Sequence, residues 1–252
     1  IKKKIFISGH KGLVGSSFLR LLSKNKKFKI ITIDKKNVNL ENQNKVKNFF
    51  KKQKPNYVIN AAALAGGIYA NDNYSADFIQ KNIIIQHNII KACYDYNVER
   101  LMFLGSSCIF PRHCRQPMKE NDLLSGYLEK TNEAYAIAKI AGLKMCTYFN
   151  KQYNTDYRVL MPTNIYGKND KYHTKDSHVI PALLLKFHNA KKLKKKFVEV
   201  WGTGRVKREF IFADDVAKIC TKILLMSKPN YKKFLKRKKL EFLNVGTGKD
   251  IT

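Results

Sequence analysis

Tyr135 and Lys139 lie four residues apart in Tyr135-Ala136-Ile137-Ala138-Lys139. Ala136, Ala138, Ala141 and Leu143 favour a helix, so the two side chains project from one face, one turn apart. A free phenol, with a pKa near 10, exchanges protons poorly at neutrality, and a fixed ammonium beside it favours the phenolate. The pair alone is ordinary, because the same spacing is common on solvated helix faces. Its weight comes from the elements that would position it.

Lys4-Ile5-Phe6-Ile7-Ser8 reads as a strand that ends on Gly9-His10-Lys11-Gly12-Leu13-Val14-Gly15, with a helical pattern (Val14, Phe18, Leu21, Leu22) following. Strand, glycine-rich turn and helix form the opening unit of a dinucleotide-binding fold, although the spacing is G-x-x-G-x-x-G. Glycines let the backbone approach a pyrophosphate, whose charge faces the helix N-terminus. Ile30 to Ile33 reads as a second strand closing on Asp34-Lys35-Lys36. The acid at that distance suits a ribose 2′-hydroxyl, whereas Lys11 and Lys35 suit a 2′-phosphate.

Further strands are expected at Tyr57–Asn60, running into Ala61-Ala62-Ala63, and at Leu101–Leu104, delivering Gly105-Ser106-Ser107-Cys108. Another at Val159–Met161 delivers Pro162-Thr163-Asn164, and a long helix is expected from about Tyr74 to Tyr96. After Gly167 the alternation weakens: a helix from His178 or Val179 to Ala190, a strand at Phe197–Val200, a turn at Trp201–Gly204, a helix capped by Asp214 or Asp215, and a strand at Phe242–Val245. This order predicts an α/β protein, a Rossmann-type doubly wound parallel sheet with a smaller, shortened C-terminal substrate lobe. Residues 1–167 would form the dinucleotide domain, with about 209–227 and 241–246 returning to it; 168–252 would be mainly the lobe.

The 252 residues suffice for a buried core, and a 44% hydrophobic fraction excludes a disordered chain. No apolar run approaches the roughly 18 residues of a membrane span. Ile1 in place of Met leaves a preceding segment open. Five cysteines without a C-x-x-C pair argue against a disulfide framework or metal site and for a reducing, cytoplasmic setting. The net charge of +30 raises polyanion binding. Its densest runs, Lys191–Lys196 and Lys228–Lys239, lack aromatic interleaving and read as solvated loop or helix-end surface.

Taken jointly, the motifs resemble the extended short-chain dehydrogenase/reductase family from Ile5 to Asp250. The specific blocks are Gly66-Gly67-Ile68, Ala76-Asp77-Phe78, Gly105 to Ile109, Glu129 to Ala141, Met161 to Asn164, Tyr166-Gly167, Ser177 to Pro181, Trp201-Gly202 and Arg208-Glu209-Phe210. The resemblance implies NADP(H)-dependent conversion of GDP-4-keto-6-deoxy-D-mannose to GDP-L-fucose, by epimerisation at C3 and C5 and reduction at C4. It implies Tyr135 as proton donor to the C4 oxygen, Ser106 as the hydroxyl sharing that oxygen, and Lys139 as ribose ligand and modulator of the phenol. Cys108 and His178 become the base and acid at C3 and C5.

The same resemblance implies as dinucleotide neighbours Gly9 to Gly15, Lys35, Ala62, Leu104, Gly105, Lys139, Pro162, Thr163, Asn164, Ile165 and His178. Lys186, Trp201 and Arg208 would contact the nucleotide-sugar. Lys186 stands where Arg is expected and Phe110 where Tyr is expected, Lys228 to Leu240 is expected to be a variable loop, and a homodimer is implied through Tyr74–Tyr96 and Thr131–Tyr153. Two rivals remain: another nucleotide-sugar epimerase or reductase, and a non-catalytic basic Rossmann-fold protein binding RNA. Salt-sensitive RNA binding that survives Tyr135→Phe would favour the second.

Overall fold

Strands that are apolar at every position must be covered on both faces, and a parallel sheet between helical layers meets that demand. The computed structural model describes residues 2–173, 176–200 and 202–252. In chain order the first half runs β1 (Lys3–Ser8), α1 (Leu13–Leu22), β2 (Phe28–Ile31), α2 (Gln43–Gln53), β3 (Tyr57–Asn60), α3 (Ile68–Asn73), α4 (Ser75–Asp95) and β4 (Arg100–Leu104). Then follow α5 (Glu133–Tyr153), β5 (Tyr157–Pro162), β6 (Asn164–Tyr166), α6 (Val179–Lys192), β7 (Arg208–Phe212), α7 (Ala213–Leu225), α8 (Lys228–Lys238), β8 (Leu243–Val245) and β9 (Asp250–Ile251).

The main sheet has six parallel strands in the order β2-β1-β3-β4-β5-β8, the doubly wound arrangement expected. Alternation along each strand divides its side chains between two cores. Phe6, Val58, Leu101, Phe103 and Val159 pack with Ile89, Ile90, Leu143 and Cys146 of α4 and α5. Ile5, Ile7, Ile59, Met102 and Leu160 pack with Phe18 and Leu22 of α1 and with Val216, Cys220 and Leu224 of α7. A second, three-stranded sheet is ordered β6-β7-β9, with β6 parallel and β9 antiparallel to β7. Thus α7 and β8 join the main body, whereas β7 belongs to the small sheet.

At the amino ends of β4 and β5, Asp156 accepts from Arg158 Nε (2.8 Å) and Nη2 (2.6 Å) and from Arg100 Nε (3.2 Å). Arg158 is fully buried and also donates to the Ile223 and Leu224 carbonyls that end α7.

Three local expectations change. Residues 197–200 form no strand: Phe197 is 85% and Val200 48% exposed, and the segment pairs with no strand among the described residues. Residues 228–238 are a helix and not a loop; Ser227 caps it, accepting from Asn230 N (3.4 Å), and Tyr231 is buried 4.7 Å from the Arg158 guanidinium. Asp214 and Asp215 do not cap α7, whose cap is Phe212; they lie in its first turn, engaged by Arg20 (2.5 Å) and Lys218 (2.9 Å). Among the described residues no helix is long and apolar enough to cross a membrane, and no group of three His, Cys, Asp or Glu could hold a metal ion.

Candidate active site

β4 ends at Leu104, where the Gly105 amide still donates to Leu160 O (2.8 Å), and the chain then leaves the sheet. Ser106, extended at φ −155°, starts a single 3₁₀ turn through Ile109, which turns Ser106 and Cys108 toward the start of α5. The Cys108 thiol donates to Ser106 Oγ at 3.3 Å, and the Ser106 and Tyr135 side chains share a hydrogen bond. One turn on, Lys139 Nζ donates to Leu104 O (2.9 Å) and lies 5.2 Å from the Phe103 ring and 5.7 Å from the Tyr135 ring. Ser106, Cys108, Tyr135 and Lys139 therefore meet in one corner between β4 and α5.

Gly142 allows α5 to come this close. A Cβ there would lie 2.4 Å from the Phe103 ring and 2.6 Å from Gln86 Oε1 of α4. Gln86 Nε2 in turn donates to Ala138 O (2.5 Å), tying α4 to the turn that carries Lys139.

Burial sets the proton affinities of this corner. It raises the Tyr135 pKa well above the ordinary phenol range, against the smaller lowering by the Ser106 bond. The net shift runs opposite to the one expected from Lys139: dehydration first, and the Cys108 charge after it, hold the phenol in its donating form. Burial lowers Lys139 to about 8. It pushes the Cys108 thiol up to about 11, opposed by the Ser106 bond and the Lys139 charge.

His178 is the N-cap residue of α6, with its side chain half exposed and Nδ1 3.8 Å from Asp170 Oδ1. The segment before it is pinned to the Gly66–Gly67 turn: the Gly67 amide donates to Asp176 O (3.1 Å), and a Cβ on Gly67 would lie 2.6 Å from Ser177 O. Asn71 Nδ2 holds that turn through the carbonyls of Gly66 (2.8 Å) and Gly67 (2.9 Å). A Cβ on Gly66 would meet the Phe78 ring, and Phe78 lies edge-on to Tyr135 with centroids 6.1 Å apart. Phe78 thereby links the His178 segment to the phenol. The family blocks contained Phe78, Gly66 and Gly67 without a role; Asp170, three residues after Gly167 in a lysine-rich stretch, carried no signal in sequence.

The glycine loop after β1 is bare and tightly folded. Gly9 has φ +68°, and a Cβ there would lie 2.8 Å from Ala61 O and 2.9 Å from Ala62 Cα. A Cβ on Gly15 would lie 2.1 Å from Gly9 O. Gly12 is the N-cap of α1 and supplies no side-chain cap, leaving the first N–H groups of α1 without a side-chain acceptor, as an anion site at a helix N-terminus requires. Ala62 N donates to Ser8 Oγ (3.2 Å), and the buried Thr163 Oγ has no hydrogen-bond partner among the described residues. Bare backbone and an unspent hydroxyl fit a pyrophosphate and sugar.

Asp34 is engaged by Lys11 Nζ at 2.5 Å and lies 3.8 Å from His10 Nε2; Lys11 first, with His10 adding less, holds its carboxyl below the usual range. Lys35 bonds Glu41 Oε1 (3.2 Å). Leu13 and Val14 open α1, while Pro162 ends β5, Asn164 Nδ2 donates to Glu209 O (3.0 Å) and Ile165 packs on the α1–α7 core.

The nucleotide-sugar contacts expected from sequence are Lys186, Arg208 and Trp201. Lys186 on α6 donates to Glu199 O (3.3 Å), and exposed Arg208 at the start of β7 donates to Lys207 O (2.8 Å). Trp201 lies outside the described residues.

Residues 5–234 match the model of the NAD dependent epimerase/dehydratase family. The chain belongs to this family. It is 45% identical to GDP-L-fucose synthase of Escherichia coli (strain K12), over all of this chain and 78% of that protein. It is 45% identical to GDP-L-fucose synthase 1 of Arabidopsis thaliana, over 99% of this chain and 74% of that protein. Among solved structures it superposes on MlghC, the GDP-mannoheptose C4 reductase of Campylobacter jejuni with NADP bound, at a TM-score of 0.88 and 35% identity, covering all of this chain and 82% of that one. The Rossmann-type fold is thus that of nicotinamide-dependent sugar-nucleotide enzymes.

Proposed function

We propose that this protein converts GDP-4-keto-6-deoxy-D-mannose to GDP-L-fucose, epimerising C3 and C5 and reducing C4, with NADPH as cofactor. The observation that carries this reading is one corner holding two hydroxyls, a thiol and an ammonium, in a chain 45% identical to a GDP-L-fucose synthase.

C3 and C5 flank the C4 carbonyl, so loss of either proton gives an enolate whose charge rests on a single oxygen. Ser106 and Tyr135 donate to that oxygen, stabilising both enolates and then the alkoxide. Cys108, working as thiolate, removes the carbon-bound proton; the Lys139 charge and the Ser106 bond favour that thiolate against burial. His178 returns a proton on the opposite ring face, which inverts the carbon. Bound NADPH supplies the hydride that reduces C4. Tyr135 then gives its proton to O4, in keeping with a phenol held protonated by burial.

The dinucleotide would rest on Gly9 to Gly15, with Lys11 and Lys35 toward a 2′-phosphate, and on Ala62, Leu104, Gly105, Lys139, Pro162 to Ile165 and His178. Lys186, Trp201 and Arg208 would take the nucleotide-sugar. In this reading residues 1–167 with α7 and β8 form the dinucleotide domain, and most of 168–252 forms the substrate lobe. A second copy would pack on the outer faces of α4 and α5, where Ile83, Ile137 and Tyr148 are exposed. Five unpaired thiols suit a reducing cytoplasm.

The test is incubation with GDP-4-keto-6-deoxy-D-mannose and NADPH, with the product identified by NMR. GDP-L-fucose is expected. A GDP-6-deoxyhexose with C3 and C5 unchanged would leave a reductase only, and absence of NADPH oxidation would remove the reading.

A further inference from the structure

We propose that Asp170 is a positioning residue for His178, fixing the imidazole so that Nε2 faces the sugar carbon; this rests on the acid role given to His178 above. The two side chains differ sharply in setting. The Asp170 side chain is 6% exposed and that of His178 is 50% exposed. Asp170 Oδ1 accepts the Lys171 amide at 2.8 Å, which locks the carboxylate, and the same oxygen stands 3.8 Å from His178 Nδ1. Oδ2 is buried and has no hydrogen-bond partner among the described residues.

A buried carboxylate oxygen without a donor costs free energy, so a partner is expected to reach it. The His178 imidazole is a candidate donor to this carboxylate, its Nδ1 standing 3.8 Å from Oδ1, the oxygen beside the unpartnered one. Catalytic hydrogen bonds are commonly long before the substrate binds, and a small ring rotation closes 3.8 Å to a bond. Asp176, the neighbouring acid, also has one buried oxygen without a hydrogen-bond partner among the described residues, but its Oδ2 lies 3.6 Å from Lys171 Nζ and 3.6 Å from His173 Nδ1, and its side chain is more exposed (23%).

With Nδ1–H held by Asp170, Nε2 is the nitrogen left for chemistry. In the protonated ring, the Nε2–H bond breaks as the new carbon–hydrogen bond forms, and the electron pair stays on Nε2. The neutral imidazole keeps its Nδ1–H toward Asp170 and recovers a proton at Nε2 from water, to which its half-exposed ring has access.

The experiment compares wild type, Asp170→Asn and Asp170→Glu with GDP-4-keto-6-deoxy-D-mannose in deuterium oxide. It reads deuterium entry at C3 and C5, NADPH oxidation and NADPH affinity separately. Asp170→Asn is expected to slow exchange by about 10²-fold while NADPH affinity stays within about twofold, and the reduced product shifts toward the sugar unchanged at C3 and C5. Asp170→Glu, retaining the charge, is expected to recover part of the exchange. Exchange at the wild-type rate in Asp170→Asn overturns the proposal. So does loss of exchange, reduction and NADPH affinity together, which would mark a structural role. Wild type that neither exchanges nor reduces this substrate overturns the functional reading itself.

Discussion

The β4–α5 corner and the stretch carrying Lys186 and Arg208, complementary halves of one site in the proposed reading, are built differently. In the corner, Tyr135 and Lys139 contact each other, Ser106, Phe78, Phe103 and the Leu104 carbonyl, and Lys139 is 6% exposed. In the segment, Lys186 is half-buried and Arg208 exposed, and both donate to main-chain carbonyls. Under the proposed function this contrast is a division of labour: the groups assigned to proton movement are preorganised by burial, while those assigned to the nucleotide-sugar are more open to solvent.

Substitutions in the two halves should therefore fail in different ways. The largest effect belongs to Tyr135→Phe, which should lower the rate of NADPH oxidation by about 10²–10⁴-fold with cofactor affinity nearly unchanged. Unaltered turnover in steady-state assays would remove the corner from the reduction.

Next comes a pH effect on stability. Burial lowers Lys139 from 10.5 to about 8, so between these values the unfolded chain holds a proton that the folded chain has released. Stability from this group therefore rises with pH across that window, and the penalty of a charged buried lysine is felt below it. Lys139→Met should lose its stability advantage over wild type, on the order of 3 kcal/mol, as pH rises from about 8 to about 10.5. Denaturant melts of both proteins across that range check this; a difference independent of pH would contradict the assigned dehydration.

The scaffold of the corner can be probed at Gly142. Alanine in place of glycine favours a helix by about 1 kcal/mol. Here its methyl would strike Phe103 and Gln86, and overpacking typically costs about 1–3 kcal/mol. Net destabilisation in urea melts is the expected sign, and net stabilisation would show that the helices separate easily. In the exposed half, Leu184→Ala should stay within about 0.5 kcal/mol of wild type.

The smallest effect is expected for Lys186→Ala. Loss of one charged hydrogen bond to substrate, about 1.5 kcal/mol, should raise KM about tenfold and leave kcat within about twofold. A fall in kcat at constant KM would place Lys186 with the chemistry and blur the division.

The depth to which each half was legible in sequence follows the same division. Regular alternation of apolar strands and a glycine turn made the parallel sheet readable, because each strand is buried on both faces and hence uniformly apolar, as at Ile5–Ile7 and Leu101–Leu104. The proximity of Tyr135 and Lys139 on one helix face was visible from their spacing, but the direction of the phenol shift was not, because dehydration depends on what covers the ring. Phe197–Val200 looked like a strand by composition alone; pairing needs a neighbour, which a linear pattern does not reveal. The helix at 228–238 was obscured by charge, since its main buried anchor is Tyr231 against Arg158, a residue on a distant strand. Asp170 was invisible because its significance is three-dimensional: a buried carboxylate beside a half-exposed imidazole.

The central claim is that Cys108 moves protons at carbon while its neighbours Ser106 and Tyr135 serve the oxygen. Cys108→Ser, given GDP-4-keto-6-deoxy-D-mannose and NADPH in deuterium oxide, tests it most directly. The account predicts that deuterium entry at C3 and C5 is lost while NADPH is still oxidised, yielding a GDP-6-deoxyhexose unchanged at both carbons. Deuterium entry at the wild-type rate would contradict it.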